Sequence, residues 1–243
     1  MYEFESFVYL DVHKTGSTFI KKVLKNFSSD APIRKRKHQG VESNYDKSKT
    51  YFISVRDPLD QYLSLYHYGC QGDGLLFERV RDEGLGKLYD GSWSGFLAWL
   101  RFMLDADNAS IFHPSYAACG GGLVSRLLGL QSYRVLSLSL PGSYEILSAC
   151  KSEDEIIKEY KSKNIAQFVI RTERLRTDLA ELFTNTLKDR ISNLPKALEF
   201  IESSKPLNSS DNTTDEKQRR ELDTDMKQLL MKREWFIYQE FAY

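Results

Sequence analysis

Short apolar runs alternate with amphipathic stretches along the chain, as expected when strands exchange with helices and not when helices simply bundle. Residues 7–10, 51–55 and 165–170 are almost continuously apolar and of strand length, which suits strands covered on both faces of a parallel sheet. After the first run, Phe19, Ile20, Val23, Leu24 and Phe27 recur at helical spacing, with Lys21, Lys22 and Lys25 opposite. The spacing predicts a helix over 17–26 that packs on the sheet. A turn at 28–32, a short strand over 33–37 and a polar loop to Ser48 then lead to the second run, after which Pro58 is placed to start a helix. Helical periodicity returns at 75–81 and 96–104, and at 123–128 after the Gly120-Gly121-Gly122 interruption. An amphipathic helix is expected over 152–161, another from Leu175 to about Leu187, and a long final helix from about Asp215 to Tyr238. The fold class that follows is α/β, with three α/β/α layers around a central parallel sheet. The chain is expected to form a single domain over 1–243, with a helical insertion at about 70–150.

Composition narrows the function. Basic and acidic side chains number 34 each, so no global field points to nucleic acid, and any anion recognition must be local. Cys70, Cys119 and Cys150 lack Cys-x-x-Cys spacing, which argues against a disulfide framework or a zinc site. No run approaches 18 uninterrupted apolar residues, so no membrane span is expected.

The candidate chemistry begins where the first strand ends. Asp11-Val12-His13-Lys14-Thr15-Gly16-Ser17-Thr18 is a polar turn running into a helix, the arrangement in which backbone N–H groups, a glycine and a lysine collect an anion. The Walker pattern requires Gly, four residues, then Gly-Lys-Ser/Thr, whereas here the lysine precedes the only glycine; the anion is therefore not expected to be ATP. The second strand ends in Arg56-Asp57-Pro58, with Ser64 eight residues after the arginine. The guanidinium fork suits a phosphate.

In these two motifs the chain resembles the sulfotransferase family, well over about residues 5–70 and loosely beyond. The resemblance implies a P-loop-like sulfotransferase fold and transfer of a sulfuryl group from 3′-phosphoadenosine 5′-phosphosulfate (PAPS) to an acceptor hydroxyl, with no metal required. It places His13, Lys14, Thr15, Gly16, Ser17 and Thr18 on the 5′-phosphosulfate, and Arg56 and Ser64 on the 3′-phosphate. Thr172, in the Arg171-Thr172-Glu173-Arg174-Leu175 junction after the third run, is similar to the family's third signature near the nucleotide. Lys205, Asn208 and Ser209 resemble its late basic loop, in a form that departs from the steroid and phenol enzymes and favours the carbohydrate-type branch. The acceptor implied is thus a glycan or glycolipid.

Lys14 is the expected electrostatic catalyst, because an ammonium beside the leaving phosphate interacts more strongly as charge develops there. His38, after the second short strand, is the expected general base, with Glu42 as the alternative. Arg34-Lys35-Arg36-Lys37 ahead of it reads either as a solvated face or as a dock for an acidic glycan. The family's Golgi members carry an anchor and stem that do not show here; the expectation is a cytoplasmic enzyme or one whose anchor has been removed. Two other functions fit less well: a protein that only binds adenosine bisphosphate, and a nucleoside-phosphate kinase, which would need the Walker spacing and an acidic metal ligand.

Overall fold

The computed structural model describes residues 1–204 and 222–243. They fall into two compact units, the first built from Met1–Arg56, Ser137–Ser143 and 163–204, the second from Asp57–Leu136, Tyr144–Ser162 and 222–243.

The first unit holds a five-stranded sheet of β1 (Tyr2–Glu3), β2 (Phe7–Leu10), β3 (Arg34–Lys35), β4 (Thr50–Val55) and β5 (Phe168–Arg171), in the order β3-β1-β2-β4-β5. β2, β4 and β5 run parallel, with Leu10 opposite Ile53 and Val55 opposite Arg171. β1 is antiparallel to both β2 and β3, so the sheet is mixed: the expected parallel arrangement holds for β2, β4 and β5 and not for the edge formed by β1 and β3. The reason is chain length: β1 and β2 are joined by a tight turn in which Phe4 N–H donates to Phe7 O at 2.8 Å, and a parallel pair would need a crossover of a dozen or so residues. The strand expected over 33–37 shrinks to two exposed basic residues on the sheet edge, where charge discourages pairing with another chain.

The helix α1 (Ser17–Phe27) buries the predicted face, Phe19, Ile20, Val23 and Leu24, each contributing roughly 1.5–3 kcal/mol. These side chains join Phe7, Tyr9, Phe52 and Ile170 of the sheet and the helices Leu175–Asn185 and Leu194–Ser203 in one apolar cluster. The register brings the carboxyl ends of β2, β4 and β5 side by side. Ligands of parallel sheets bind at such ends.

The second unit is helical. α2 (Pro58–Cys70) starts where Pro58 predicts, capped by Asp57 Oδ1, which accepts from Asp60 N–H at 3.1 Å. α3 (Leu75–Asp82) and α4 (Trp93–Leu104) follow as expected, and Trp99 of α4 is fully buried among Tyr62, Tyr66, Tyr89 and Phe96. The helix Leu130–Ser139, of which Leu130–Leu136 belong to this unit and Ser137–Ser139 to the first, had no amphipathic signature because it is buried nearly all round, Gln131, Ser132 and Arg134 included. The long final helix is corrected to two, Thr224–Arg233 and Trp235–Phe241, with the break at Glu234; 215–221 lie outside the described residues. The fully buried Glu234 carboxylate accepts from Tyr62 OH at 2.6 Å, Gln131 N–H at 3.1 Å, and the Ser132 N–H and hydroxyl, both at 2.7 Å. Among the described residues no helix is long and apolar enough to cross a membrane.

Candidate active site

The turn after β2 is built around left-handed backbone. Gly16 has φ 79° and directly precedes α1 without a side-chain cap, while Lys14 adopts φ 61°, a conformation that costs a residue with a Cβ about 1–2 kcal/mol. His38 is left-handed too, at φ 56°. Strain of this kind persists where the surroundings fix it, and it gathers at functional sites. A Cβ on Gly16 would sit 3.1 Å from Leu175 Cδ2, so the turn is also pressed closely against the start of the helix Leu175–Asn185.

The buried hydroxyls below the turn brace it. Thr15 Oγ1 donates to Val12 O at 2.9 Å and lies 2.6 Å from Ser54 Oγ, which in turn lies 2.7 Å from Tyr9 OH. The Thr15 hydroxyl is thus fully buried and committed to the sheet, and the backbone is what this residue has to offer an anion. Ser17 is half-buried and Thr18 exposed in the first turn of α1.

Arg56, the first residue after β4, donates from Nη1 to Lys14 O at 3.4 Å, so the guanidinium lies against the early turn. Thr172, directly after β5, donates from Oγ1 to Val55 O at 2.9 Å, which sets it beside the residue preceding Arg56. Burial first, then the Arg56 and Lys37 cations, hold the Lys14 ammonium below its usual range. Three cations near a strained turn at a helix N-terminus make a patch of positive potential that an anion would relieve.

His38 reaches the same place from the other side. Its Nδ1 lies 2.8 Å from Asp11 O; a carbonyl can only accept, so Nδ1 carries the proton and Nε2 is left as the basic nitrogen. The His38 ring stacks on that of His13, with centroids 3.3 Å apart and planes inclined by 22°. The loop beyond is held by close backbone approach, since a Cβ on Gly40 would meet Ser137 O at 2.4 Å and Gly142 N–H donates to Val41 O at 3.3 Å. Glu42, the alternative base, is an exposed carboxylate 3.5 Å from Arg36 Nη1. Arg34 likewise pairs with Glu3 at 3.4 Å, and all four residues of the basic run are exposed.

His13, Lys14, Thr15, Gly16, Ser17, Thr18, His38, Arg56 and Thr172 thus belong to the first unit. Ser64 is half-buried on α2, in the second unit. Lys205, Asn208 and Ser209 lie outside the described residues. Sequence reasoning missed Asp11 and Ser54. A polar residue inside or directly after an apolar strand was the available signal for both. Among the described residues no group of three or more His, Cys, Asp or Glu side chains is placed to hold a metal ion.

No curated protein and no solved structure matches the chain. Residues 1–113, the stretch that carries the glycine turn, His38 and Arg56, are similar to the family model described as the sulfotransferase family.

Proposed function

We propose that the protein is a PAPS-dependent sulfotransferase acting on a hydroxyl of a glycan or glycolipid, with the three-layer, P-loop-like arrangement of that family. The observation that carries the reading is the Arg56 guanidinium lying against the Lys14 turn, which groups two anion-binding elements 42 residues apart in sequence. A cosubstrate with phosphates on both its 5′ and 3′ sides suits such a pair. The uncapped start of α1 and the Lys14 ammonium would take the phosphosulfate, and Arg56 the 3′-phosphate. Thr172, at the neighbouring strand end, would border the nucleotide; Ser64, Lys205, Asn208 and Ser209 are added to the cosubstrate-binding set on the family resemblance alone.

His38 Nε2 would take the proton of the acceptor hydroxyl as its oxygen bonds to sulfur. The bond from sulfur to the phosphate oxygen breaks, and Lys14 stabilises the charge that collects on the departing adenosine 3′,5′-bisphosphate. The exposed basic run next to His38 favours an acidic glycan over a neutral phenol, and the helices α3 and α4 fall in the stretch expected to recognise the acceptor. The test is transfer of labelled sulfate from PAPS to a panel of glycans, lipids and phenols, with Lys14→Met as control. Transfer to glycans that Lys14→Met abolishes is expected. A folded protein that binds adenosine 3′,5′-bisphosphate but sulfates nothing in the panel would favour the binding-protein alternative.

A further inference from the structure

Asp11 follows β2 directly and is completely buried. Its Oδ2 pairs with Lys21 Nζ on α1 at 3.3 Å, whereas Oδ1 takes no hydrogen bond from the described residues and lies 3.8 Å from His38 Nδ1. A buried carboxylate oxygen left in this way calls for an explanation, and a neighbouring group that acquires positive charge provides one. We infer that Asp11 is a positioning residue for His38, acting twice. Its carbonyl holds the Nδ1–H tautomer, and its carboxylate stabilises the imidazolium that forms when Nε2 takes a proton. His13 completes the arrangement by stacking on the ring and fixing its plane. The inference rests on His38 being the base in the proposed sulfuryl transfer.

The charges around the pair set the signs. Lys21 sits beyond the Asp11 carboxylate, Lys14 interacts with Lys37 and with Arg56 at the end of β4, and Arg36 is paired with Glu42 on the loop of His38 itself. The Met1 ammonium donates to Arg36 O and to Gln39 O, and burial lowers it to about 6, so it titrates in the same range as a histidine. A pH–rate profile alone would mix the two groups; a residue-resolved measurement separates them.

The experiment is nitrogen-15 NMR of the His38 side chain in the resting protein, across pH, for wild type, Asp11→Asn and Lys21→Met. In wild type the neutral ring should carry its proton on Nδ1. An opposite charge this close favours the imidazolium, so Asp11→Asn should lower the His38 midpoint by about one unit. Lys21→Met removes a cation and should raise it. Opposite-signed shifts show that both charges act on the ring, and the turnover readout separates a positioning role from a merely structural ion pair, which would leave kcat unchanged. In turnover, Asp11→Asn should move the rising limb of kcat to lower pH and reduce its plateau about tenfold, within the range a general base supplies, while KM for PAPS changes less than twofold.

A proton on Nε2 in wild type, or a His38 midpoint that does not move in Asp11→Asn, would overturn the inference. If Asp11→Asn does not fold, the wild-type tautomer and the direction of the Lys21→Met shift still decide it. A shifted midpoint together with a His38→Ala enzyme that still turns over would leave the Asp11–His38 pairing standing and refute His38 as the base.

Discussion

Gly16→Ala tests whether the left-handed turn is required or incidental. The substitution places a Cβ at φ 79°, where a non-glycine residue pays about 1–2 kcal/mol, and 3.1 Å from Leu175 Cδ2. The second contact is with the end of a leucine side chain and can relax by a few tenths of an ångström; the backbone cost cannot, unless the turn leaves its conformation. We therefore expect the backbone to dominate, with a stability loss of about 1–2 kcal/mol and a fall in Tm of about 2–8 °C for a chain of this size. If the turn relaxes instead, the N–H groups at the start of α1 lose their aim. Losing one charge-assisted hydrogen bond, about 1.5–3 kcal/mol, would weaken binding of adenosine 3′,5′-bisphosphate roughly ten- to a hundredfold. Urea unfolding and calorimetric titration read the two quantities. A double-mutant cycle with Leu175→Ala apportions the penalty, and a coupling below about 0.5 kcal/mol is expected if the backbone term rules. Gly16→Ala as stable and as tight-binding as wild type would refute the reasoning, as would a coupling equal to the whole penalty.

Other perturbations read other parts of the site. Lys14→Met should cut kcat by about 10²–10³-fold, the usual effect of removing a group that stabilises transition-state charge. It should also raise the stability of the ligand-free protein. The folded state disfavours the charged lysine, so that cost is present at neutral pH and disappears as pH rises from the lowered value through the ordinary 10.5; the gain of the variant over wild type should fade over the same window in thermal melts. Arg56→Ala should erase the preference for PAPS over adenosine 5′-phosphosulfate, a loss of about 1.5–3 kcal/mol by calorimetry, and an unchanged preference would dismiss the 3′-phosphate clamp. In the second unit, Glu234→Ala strands four buried donors and should cost about 3 kcal/mol or more in chemical denaturation, with Glu234→Gln losing less because one amide oxygen still accepts.

Elements with one wet face or a strongly apolar run were legible in the sequence. The α1 face, β2, β4 and the Pro58 helix start all lie within a residue or so of where the pattern puts them. The helix Leu130–Ser139 was not, because burial on every side removes the alternation that reveals a helix. Glu234 breaks the last helix for a tertiary reason, its carboxylate being drawn to backbone donors about a hundred residues earlier, and no local pattern records that. In the site, the grouping of Lys14, Arg56 and Thr172 at neighbouring strand ends could be anticipated from parallel-sheet topology. The inward turn of the Thr15 hydroxyl depends on Ser54 across the sheet, and the role of Asp11 on the unusual backbone of His38; both are long-range geometry.

The family-matched stretch ends at residue 113, yet the sheet beneath it is not complete there. β5 supplies the outer neighbour of β4, and Ser137 braces the Gly40 loop. A ribosome that has released only the matched segment has made every proposed catalytic side chain without the strand that closes the parallel edge or the backbone that steadies His38. Competence therefore arrives late in synthesis, and a nascent chain paused midway exposes an unpaired β4, a target for chaperones or for misassociation.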